Sequence, residues 1–283
     1  MTSARAWISE ELLELLFKYK DLYQKLVLYT NGTNYQPLSH LISKFKDVPL
    51  QIIFSLDASW PQTYFKIKGK PNLKRVEDNI RKIIKLYKDY PFLEISLQFL
   101  IMEDNFGELE FFLKKWSTFL EEEQIDYGIV SDYSLEEYGE HRFNIAFRRT
   151  TMENMDYSNN LYLKGLEKLG LKPHFRYQKK ENDNLSLERE REICTAPFRN
   201  LTVNWDGRVT FCCYDSYLEI NLGSLKTESL IDIWRGKKAN LIRKVFWKRE
   251  FQKLPLLCQR CFNFDAPPLS AKELEKWKRV MEK

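Results

Sequence analysis

The fold of the last third of the chain is decided by one stretch, Cys194–Asp215, which reads CTAPFRNLTVNWDGRVTFCCYD. Within it, Asp206-Gly207 stands between two short apolar runs, and an Asp-Gly pair in that position is a strong signal for a β-hairpin. We therefore predict two short strands, Leu201–Asn204 and Arg208–Phe211, joined by a tight turn. Two helices, at about residues 227–235 and 237–250, are predicted to follow the hairpin.

All five cysteines of this 283-residue chain lie between Cys194 and Cys261. An odd number of cysteines, in a chain whose first residues lack the apolar run of a secretory signal, argues against a disulfide framework and for metal or redox chemistry. Cys258 and Cys261 are two residues apart, a spacing that lets two thiolates bind one metal centre. Together with Cys194 and the pair Cys212-Cys213, they suit a closed site for zinc or an iron–sulfur cluster. The alternative is that these cysteines are small buried hydrophobic residues.

The adjacent residues Cys212 and Cys213 are not expected to share one role. Side chains alternate across a strand, so the two thiols should face opposite ways, and only one should reach a given metal centre. The spacing by itself leaves open which of the two it is.

The cysteine-rich stretch resembles the auxiliary-cluster domain, SPASM or twitch, of radical S-adenosylmethionine (SAM) enzymes. Four features after the hairpin continue the resemblance in order: Asn221-Leu-Gly223, Ile231-Asp-Ile-Trp234, Arg243 and the C-x2-C pair. The resemblance implies one auxiliary [4Fe–4S] cluster whose ligands are Cys194, Cys212, Cys258 and Cys261. Cys212 is preferred because that family places a ligand five positions after the hairpin glycine, and Cys213 is the alternative. A fuller SPASM domain would hold two clusters and needs more cysteines.

The composition excludes several classes of protein. Apolar residues make up 43% and aromatic residues 14% of the chain, enough for a packed core. No apolar run is long enough to span a membrane. The net charge of +5 is mild, and no nucleic-acid-binding fingerprint is present. One basic run lies between Arg235 and Lys253, and we interpret it as a solvated helix face, or else as a positive rim beside an anionic cluster or substrate.

The first half of the chain alternates helical and strand patterns, which predicts an α/β fold with a parallel sheet. Helices are expected from Ser9 to Tyr19 and at about residues 37–46, 74–88 and 108–122, because apolar residues recur there with a 3.6-residue period. The expected strands are Lys25–Tyr29, Leu50–Leu56, Leu93–Met102 and Tyr127–Val130. The pattern leaves open whether the sheet is flat or curls into part of a barrel.

This half resembles the later strands of a radical SAM barrel, lacking its first strands. Asn31 lies where the loop after the third strand would be, Ser55 and Asp57 at the end of the fourth, and Gln98 on the fifth. The resemblance implies that these four residues lie on the SAM side. It is continued by Lys66–Gly69, Asn72–Asn79 and the Glu103-Asp104-Asn105 turn. Asn31-Gly32 also fits an ordinary turn, and Asp57 also fits a helix cap.

We predict four regions along the chain. A truncated radical SAM partial barrel covers residues 1–150, and a linker region with one helical stretch near residues 157–170 covers 151–190. A small α+β SPASM/twitch iron–sulfur domain covers 191–265, and a C-terminal helix covers 266–283. The protein is expected to be cytoplasmic.

The radical chemistry of this family needs a first [4Fe–4S] cluster on a C-x3-C-x2-C loop, and the chain has no cysteine before Cys194. We therefore expect this chain alone to be inactive. In a complete protein, S-adenosylmethionine and the second cluster would be bound, and a peptide or small molecule would be modified by radical chemistry. The alternatives are a non-catalytic iron–sulfur or electron-transfer remnant that acts with a partner, and a zinc-stabilised binding module.

The predicted sheet has one more consequence. With its first strands missing, the strand Lys25–Tyr29 should form an exposed edge, and an unpaired edge invites pairing with another polypeptide. A protein partner is therefore expected at that edge. We expect neither a nucleic acid nor a membrane as a partner.

Overall fold

The computed structural model describes residues 9–131, 141–150, 155–172, 193–259, 261 and 269–281, with the side chains of the third range described from residue 157. The chain divides into two compact units, Met1–Gln178 and Lys179–Lys283. The predicted parallel α/β fold followed by a small α+β domain is confirmed.

The first unit is built on a five-stranded sheet in which every neighbouring pair is parallel. Its strands are β1 Leu26–Thr30, β2 Leu50–Ser55, β3 Leu93–Ile101, β4 Gly128–Val130 and β5 Phe143–Arg149. Their order across the sheet is β1-β2-β3-β5-β4. Four of these strands match the sequence prediction, whereas β5 was not predicted and inserts between β3 and β4.

Six α-helices accompany the sheet in the described part of this unit. They are α1 Glu10–Lys18, α2 Tyr35–Lys44, α3 Pro61–Lys68, α4 Leu73–Tyr87, α5 Leu109–Glu122 and α6 Met155–Lys168. The Oγ of Ser9 caps α1 by accepting a hydrogen bond from the amide of Leu12. Helix α4 buries an apolar stripe that includes Val76, Ile80 and Ile83, as its 3.6-residue period requires.

One continuous apolar core joins the sheet to its helices. Strand β2 is buried on both faces, as expected for an inner parallel strand. Three aromatic rings pack where β3, α5 and β5 meet: the ring of Phe112 lies 4.7 Å from that of Phe99 and 6.0 Å from that of Phe147. This core gives the unit ample apolar burial of its own.

Helix α6 packs into this same core, although the sequence analysis placed its residues in the region 151–190. Tyr162 and Leu166 of α6 are buried with the residues of the sheet. A Cβ atom at Gly165 would meet the side chain of Ile101 at 2.8 Å, so only glycine permits this close approach of helix and sheet. The first unit thus extends beyond residue 150.

The second unit combines a small antiparallel sheet with short helices. Its strands are β6 Thr202–Val203, β7 Arg208–Thr210 and β8 Gly223–Ser224, in that order. Its helices are α7 Ala196–Arg199, α8 Leu230–Arg235, α9 Lys237–Trp247, α10 Leu256–Gln259 and α11 Ala271–Met281. The predicted hairpin is confirmed as β6–β7, and β8 was not predicted.

Strand β1 lies at an edge of the five-stranded sheet, as predicted. Its side chains alternate between half-buried and exposed, and Val27 and Tyr29 point outward with 38% and 54% of their surface exposed. The pairing of this edge with another polypeptide stays a prediction. Among the helices of the described ranges, none has both the length and the apolar character that crossing a bilayer requires.

Candidate iron–sulfur site and the carboxyl edge of the sheet

The hairpin β6–β7 leads the chain to Cys212. Its turn places Gly207 at a φ of 86°, a left-handed conformation that glycine adopts without strain. The carboxylate of Asp206 accepts a hydrogen bond from the amide of Arg208 at 3.1 Å and so braces the turn. The Asp-Gly pair therefore forms the tight turn for which the sequence analysis used it as a signal.

Strand β7 ends at Thr210, so Cys212 and Cys213 follow the strand instead of belonging to it. That position removes the basis of the expectation that their thiols face opposite ways, because the alternation rule applies only within a strand, and the relative direction of the two thiols stays a prediction. The neighbouring side chain of Cys213 raises the pKa of Cys212, with burial adding to the effect, and the side chain of Cys212 lowers the pKa of Cys213 to about 6. Cys213 is exposed and Cys212 is half-buried.

A buried carboxylate, Asp215, holds the turn that contains this cysteine pair. Its amide donates to the carbonyl oxygen of Cys212 at 3.1 Å. Its carboxylate accepts from the hydroxyl of Thr210 at 2.8 Å and from the amides of Glu219 and Ile220 at 2.8 and 2.9 Å. Sequence reasoning did not single out Asp215 for this role; only its place at the end of the cysteine stretch could have suggested it.

The second cysteine pair is tied to the same loop. Cys258 lies on α10, and its carbonyl oxygen accepts from the amide of Cys261 at 3.3 Å. The carboxylate of Glu219 accepts from the amide of Leu257 at 3.1 Å, which joins the loop after Cys212 to this helix. Cys261 is close enough to Cys212 to raise its pKa through charge repulsion. The structure thus brings Cys212 near the C-x2-C pair.

Cys194 approaches the same region through the apolar packing of the unit. Two clusters of buried residues form its core. We call the first the aromatic cluster (Phe198, Phe246, Leu254, Leu269, Trp277, Met281) and the second the hairpin cluster (Val209, Phe211, Ile220, Leu222, Ile233, Ala239). Cys194 packs against the aromatic cluster, and Cys258 packs against both. The four predicted ligands therefore come from three segments around one small core.

Zinc and an iron–sulfur cluster place different demands on the spacing of these thiols. Within the described ranges, no group of three or more His, Cys, Asp or Glu side chains is arranged to hold one metal ion. A tetrahedral zinc site needs its sulfur ligands about 2.3 Å from one point. A four-iron cluster is bound from its corners, so its thiolates stand farther apart. A donor set of four soft thiols suits either a zinc ion or an iron–sulfur cluster.

A buried cation, Arg243 on α9, lies at the centre of this unit. Its side chain is 1% exposed. Its Nε donates to the carbonyl oxygen of Pro197 at 2.8 Å, and its Nη1 donates to the carbonyl oxygen of Trp234 at 2.6 Å and to Oδ1 of Asn240 at 2.9 Å. Its Nη2 is buried and has no hydrogen-bond partner. Burial lowers the pKa of this guanidinium to about 10.

Apart from Arg243, the basic run between Arg235 and Lys253 lies on the surface, which agrees with the interpretation of a solvated helix face. Its other members are at least partly exposed: Arg235, Lys237, Lys238, Lys244, Lys248, Arg249 and Lys253. Arg243 is the exception, because the helical period turns it inward between more exposed neighbours. A buried residue inside a basic run could have been found from that period alone.

Three of the four residues predicted for the SAM side, Asn31, Ser55 and Asp57, lie at or just beyond the carboxyl ends of strands, whereas Gln98 lies within β3. Asn31 follows β1, Ser55 ends β2, and Gln98 is the register partner of Ser55 on β3. Ligands of parallel sheets bind at this edge. The carbonyl of the Gln98 side chain accepts from Nη1 of Arg148 on β5 at 2.9 Å. Arg148 was missed from the sequence because β5 was not predicted.

Asn31 forms a local turn. Its Oδ1 accepts from the amide of Thr33 at 3.1 Å and from the hydroxyl of the same residue at 2.6 Å. The next residue, Gly32, has a φ of 71°, and the side-chain amide of Asn79 donates to its carbonyl oxygen at 3.0 Å. Asn31-Gly32 therefore has the structure of an ordinary turn, held by the buried Asn79.

Asp57 is buried and uses its carboxylate within the protein. Its Oδ1 accepts from the amide of Leu100 at 2.8 Å, and its Oδ2 pairs with Lys68. Its backbone has a φ of 59°, and its carbonyl oxygen accepts from the side chain of Asn105 at 2.8 Å. These contacts show Asp57 linking β3 and α3; they do not form an N-cap.

Glu108 holds the loop that leads into α3, whose N-cap residue, Trp60, has no side-chain cap. Its Oε2 accepts from the amides of Ser59 and Trp60, the latter at 3.0 Å, just before α3 begins. Its Oε1 and the Oγ of Ser59 are buried without hydrogen-bond partners. No sequence signal pointed to Glu108, because it lies 49 residues from Ser59 along the chain.

The thiol-bearing unit has the residues of an iron–sulfur protein, and comparison with known families agrees. Residues 194–262 match the family model of SPASM, an iron-sulfur cluster-binding domain. The match to residues 194–262 agrees with the resemblance noted in the sequence. No curated protein matches the chain.

Two solved structures are similar to the chain, each at 16% sequence identity. One is described as native anSMEcpe with bound AdoMet and Cp18Cys peptide; the match covers 96% of this chain and 78% of that one, with a TM-score of 0.48. The other is a histidine-tagged form of anSMEcpe with bound AdoMet; the match covers 96% of this chain and 74% of that one, with a TM-score of 0.44.

Proposed function

We propose that this chain is an iron–sulfur protein of the radical SAM/SPASM type that holds one auxiliary [4Fe–4S] cluster on Cys194, Cys212, Cys258 and Cys261. One observation carries the proposal: the SPASM match begins at the first of these cysteines and ends one residue beyond the last. When bound, such a cluster supplies one-electron transfer.

The local contacts support this choice of ligands over the alternative with Cys213. Cys212 is the half-buried member of the pair, and the charge of Cys261 contributes to raising the pKa of its thiol. Asp215 fixes the turn from the opposite side through three hydrogen bonds. Cys213 is exposed, as a neighbour outside the cluster would be.

Single substitutions in the full chain, reconstituted anaerobically with iron and sulfide, test the ligand set. We expect Cys194→Ala, Cys212→Ala, Cys258→Ala and Cys261→Ala each to lose most of the visible thiolate-to-iron absorption. Cys213→Ala is the matched control and should keep it. The reverse result for the adjacent pair would reassign that ligand to Cys213. Retention of the absorption in all five variants would contradict the proposal.

We also propose that the carboxyl edge of the sheet is the SAM side, with Asn31, Ser55 and Gln98 facing the cofactor and Asp57 shaping the loop between them. Two buried polar atoms without partners support a polar ligand near this loop, namely Oγ of Ser59 and Oε1 of Glu108. Equilibrium dialysis of S-adenosylmethionine against the full chain tests this. Gln98→Ala should weaken binding, and Lys46→Ala, an exposed residue after α2, should not.

The substrate class proposed for the complete enzyme is a peptide or small molecule, modified by radical chemistry. The resemblance to radical SAM/SPASM enzymes supports this class. All five cysteines lie beyond residue 193, so this chain provides no ligands for a radical-generating cluster. We therefore expect the reconstituted chain with dithionite to form no 5′-deoxyadenosine from S-adenosylmethionine, as measured by chromatography. Formation of that product would show that the chain is active alone.

The absence of those cysteines favours one second candidate, an electron-transfer module that acts with a partner. The radical SAM/SPASM enzyme and the electron-transfer module differ in whether a partner protein is needed for formation of 5′-deoxyadenosine. If a partner protein that carries a C-x3-C-x2-C cluster generates 5′-deoxyadenosine faster when this chain is added, the electron-transfer function is supported.

A further inference from the structure

Arg243 is a buried cation for which the described residues provide no anion. Its three hydrogen bonds go to two backbone carbonyl oxygens and one side-chain amide oxygen, all neutral. No salt bridge joins it to a carboxylate in the described part of the chain, and its Nη2 is unpartnered. A buried charge with only neutral partners is costly unless an opposite charge lies close by.

Aromatic rings surround the guanidinium and repay part of that cost. Its Cζ lies 4.0 Å from the ring centre of Trp234, 4.9 Å from that of Trp277 and 5.0 Å from that of Phe211. Cation–π contacts of this kind stabilise a buried cation, and more so when it is desolvated. They also exclude water, so the charge acts through a medium of low dielectric constant and reaches farther than a surface charge.

Two of the segments that contact Arg243 carry proposed ligands. Pro197, which accepts from its Nε, lies three residues after Cys194. Phe211, whose ring it faces, directly precedes Cys212. Trp234 packs against both the aromatic cluster and the hairpin cluster, and Cys258 packs against the same two. The buried cation therefore contacts the segments that carry Cys194 and Cys212, and its aromatic neighbour Trp234 packs on the same clusters as Cys258.

We propose that Arg243 is an electrostatic positioning residue for the auxiliary cluster: its buried positive charge compensates the negative charge of the four-thiolate cluster and makes its one-electron reduction easier. This rests on the cluster assigned above. The reduced cluster carries one more negative charge than the oxidised one, and the electron comes from an external reductant. A fixed positive charge nearby stabilises the reduced form more, which raises the reduction potential.

The test is a redox titration of the reconstituted full chain, with dithionite and mediators under argon and the reduced cluster followed by electron paramagnetic resonance. Arg243→Met keeps most of the side-chain length and removes the charge, whereas Arg243→Lys keeps the charge and loses the planar fork. We expect Arg243→Met to lower the equilibrium constant for reduction of the cluster at least tenfold, which lowers the reduction potential of a one-electron couple by about 59 mV. Arg243→Lys should change that equilibrium constant less than threefold.

Lys244→Met is the matched control, because it removes an exposed cation from the next position of the same helix. It should leave the potential unchanged, since water and salt screen its charge. If Arg243→Met keeps the cluster at the wild-type potential, Arg243 is only a structural support and the proposal is overturned.

If Arg243→Met fails to fold, the charge-retaining variant Arg243→Lys still tests the proposal. If Arg243→Met and Arg243→Gln both fail to hold the cluster while Arg243→Lys holds it, the requirement is for the charge, and the proposal stands. If Arg243→Lys also fails, the hydrogen-bonding fork is what matters, and the proposal is overturned. A wild-type chain that takes up no cluster would instead contradict the proposed function itself.

Discussion

The two units of the chain differ in how their cores are built and in the partners of one buried charge in each. In the first unit, one continuous apolar core joins the sheet to its helices, and the buried carboxylate of Asp57 pairs with Lys68. In the second unit, the core is split into two small clusters around thiols and an uncompensated guanidinium. The first unit is held by its own apolar core, whereas the second buries the Arg243 cation, for which the described residues provide no anion.

The largest expected difference between the units is their response to cluster removal. Small domains with little apolar core depend on bound metal for their folding energy. We expect the second unit of the apo chain to lose most of its amide-exchange protection, while the strands of the first unit keep theirs. Hydrogen–deuterium exchange of the reconstituted and apo chains measures this. Equal protection in the two states would show that the second unit folds without a cluster.

A cavity in the core of the first unit should destabilise that unit and leave the cluster of the second unit in place. Phe99→Ala removes a fully buried ring that packs on Phe112 and Phe147, and we expect a loss of about 3–5 kcal/mol in the free energy of unfolding. Urea denaturation followed by circular dichroism measures it, and the iron content should not change. Phe111→Ala, on the exposed side of α5, is the control and should cost little. A loss of iron in Phe99→Ala would mean that the units do not fold independently.

A smaller effect is expected at Asp57. Asp57→Ala leaves the buried amide of Leu100 without an acceptor and should cost about 1–3 kcal/mol of stability. Asp57→Asn keeps an acceptor and tolerates the positive φ, so it should cost less. Urea denaturation of the two variants compares them. If Asn destabilises as much as Ala, the ion pair with Lys68 matters more than the hydrogen bond.

The smallest effect should come from the pair of Glu273 and Arg199, which joins α11 to α7. Two hydrogen bonds of 2.7 Å from Arg199, with further ones from Ser270, lower the pKa of Glu273 to about 2. Because the folded pKa lies below the ordinary value of 4.5, this stability is present above pH 4.5 and is lost as the pH falls toward 2. As a partly exposed pair it should be worth about 1 kcal/mol or less.

Glu273→Gln tests this pair through the difference in unfolding midpoint between the variant and the wild type. The difference should be present at pH 7 and shrink as the pH falls below 4.5. Glu275→Gln changes an exposed carboxylate on the same helix and serves as control. A difference that grows in acid would contradict the assigned direction of the pKa shift.

Sequence reasoning succeeded where one local pattern had one structural solution. The Asp-Gly turn, the periodic helices and the inner strands β2 and β3 are cases of this kind. It missed β5, because that strand starts where the composition becomes polar, with Asn144 inside the buried run, and because its place between β3 and β4 depends on long-range pairing. It also missed the end of β7, and with it the position of Cys212 and Cys213 beyond the strand.

The roles of buried charges were the least predictable part of the site. Asp57 was expected to face a cofactor or cap a helix, and its partners Leu100 and Lys68 come from two other elements. Arg243 belonged to the family resemblance and to a basic run, yet nothing in the sequence showed that its Nη2 would be buried without a partner. Such facts depend on the packing of several segments and cannot be read from one of them.

The central claim is that the second unit is built around an iron–sulfur cluster. The most direct test is the iron and acid-labile sulfide content of the full chain after anaerobic reconstitution. The account predicts about four iron atoms and four sulfides per chain, as a single [4Fe–4S] cluster requires. One zinc ion per chain, bound through the same cysteines with no sulfide, would contradict it.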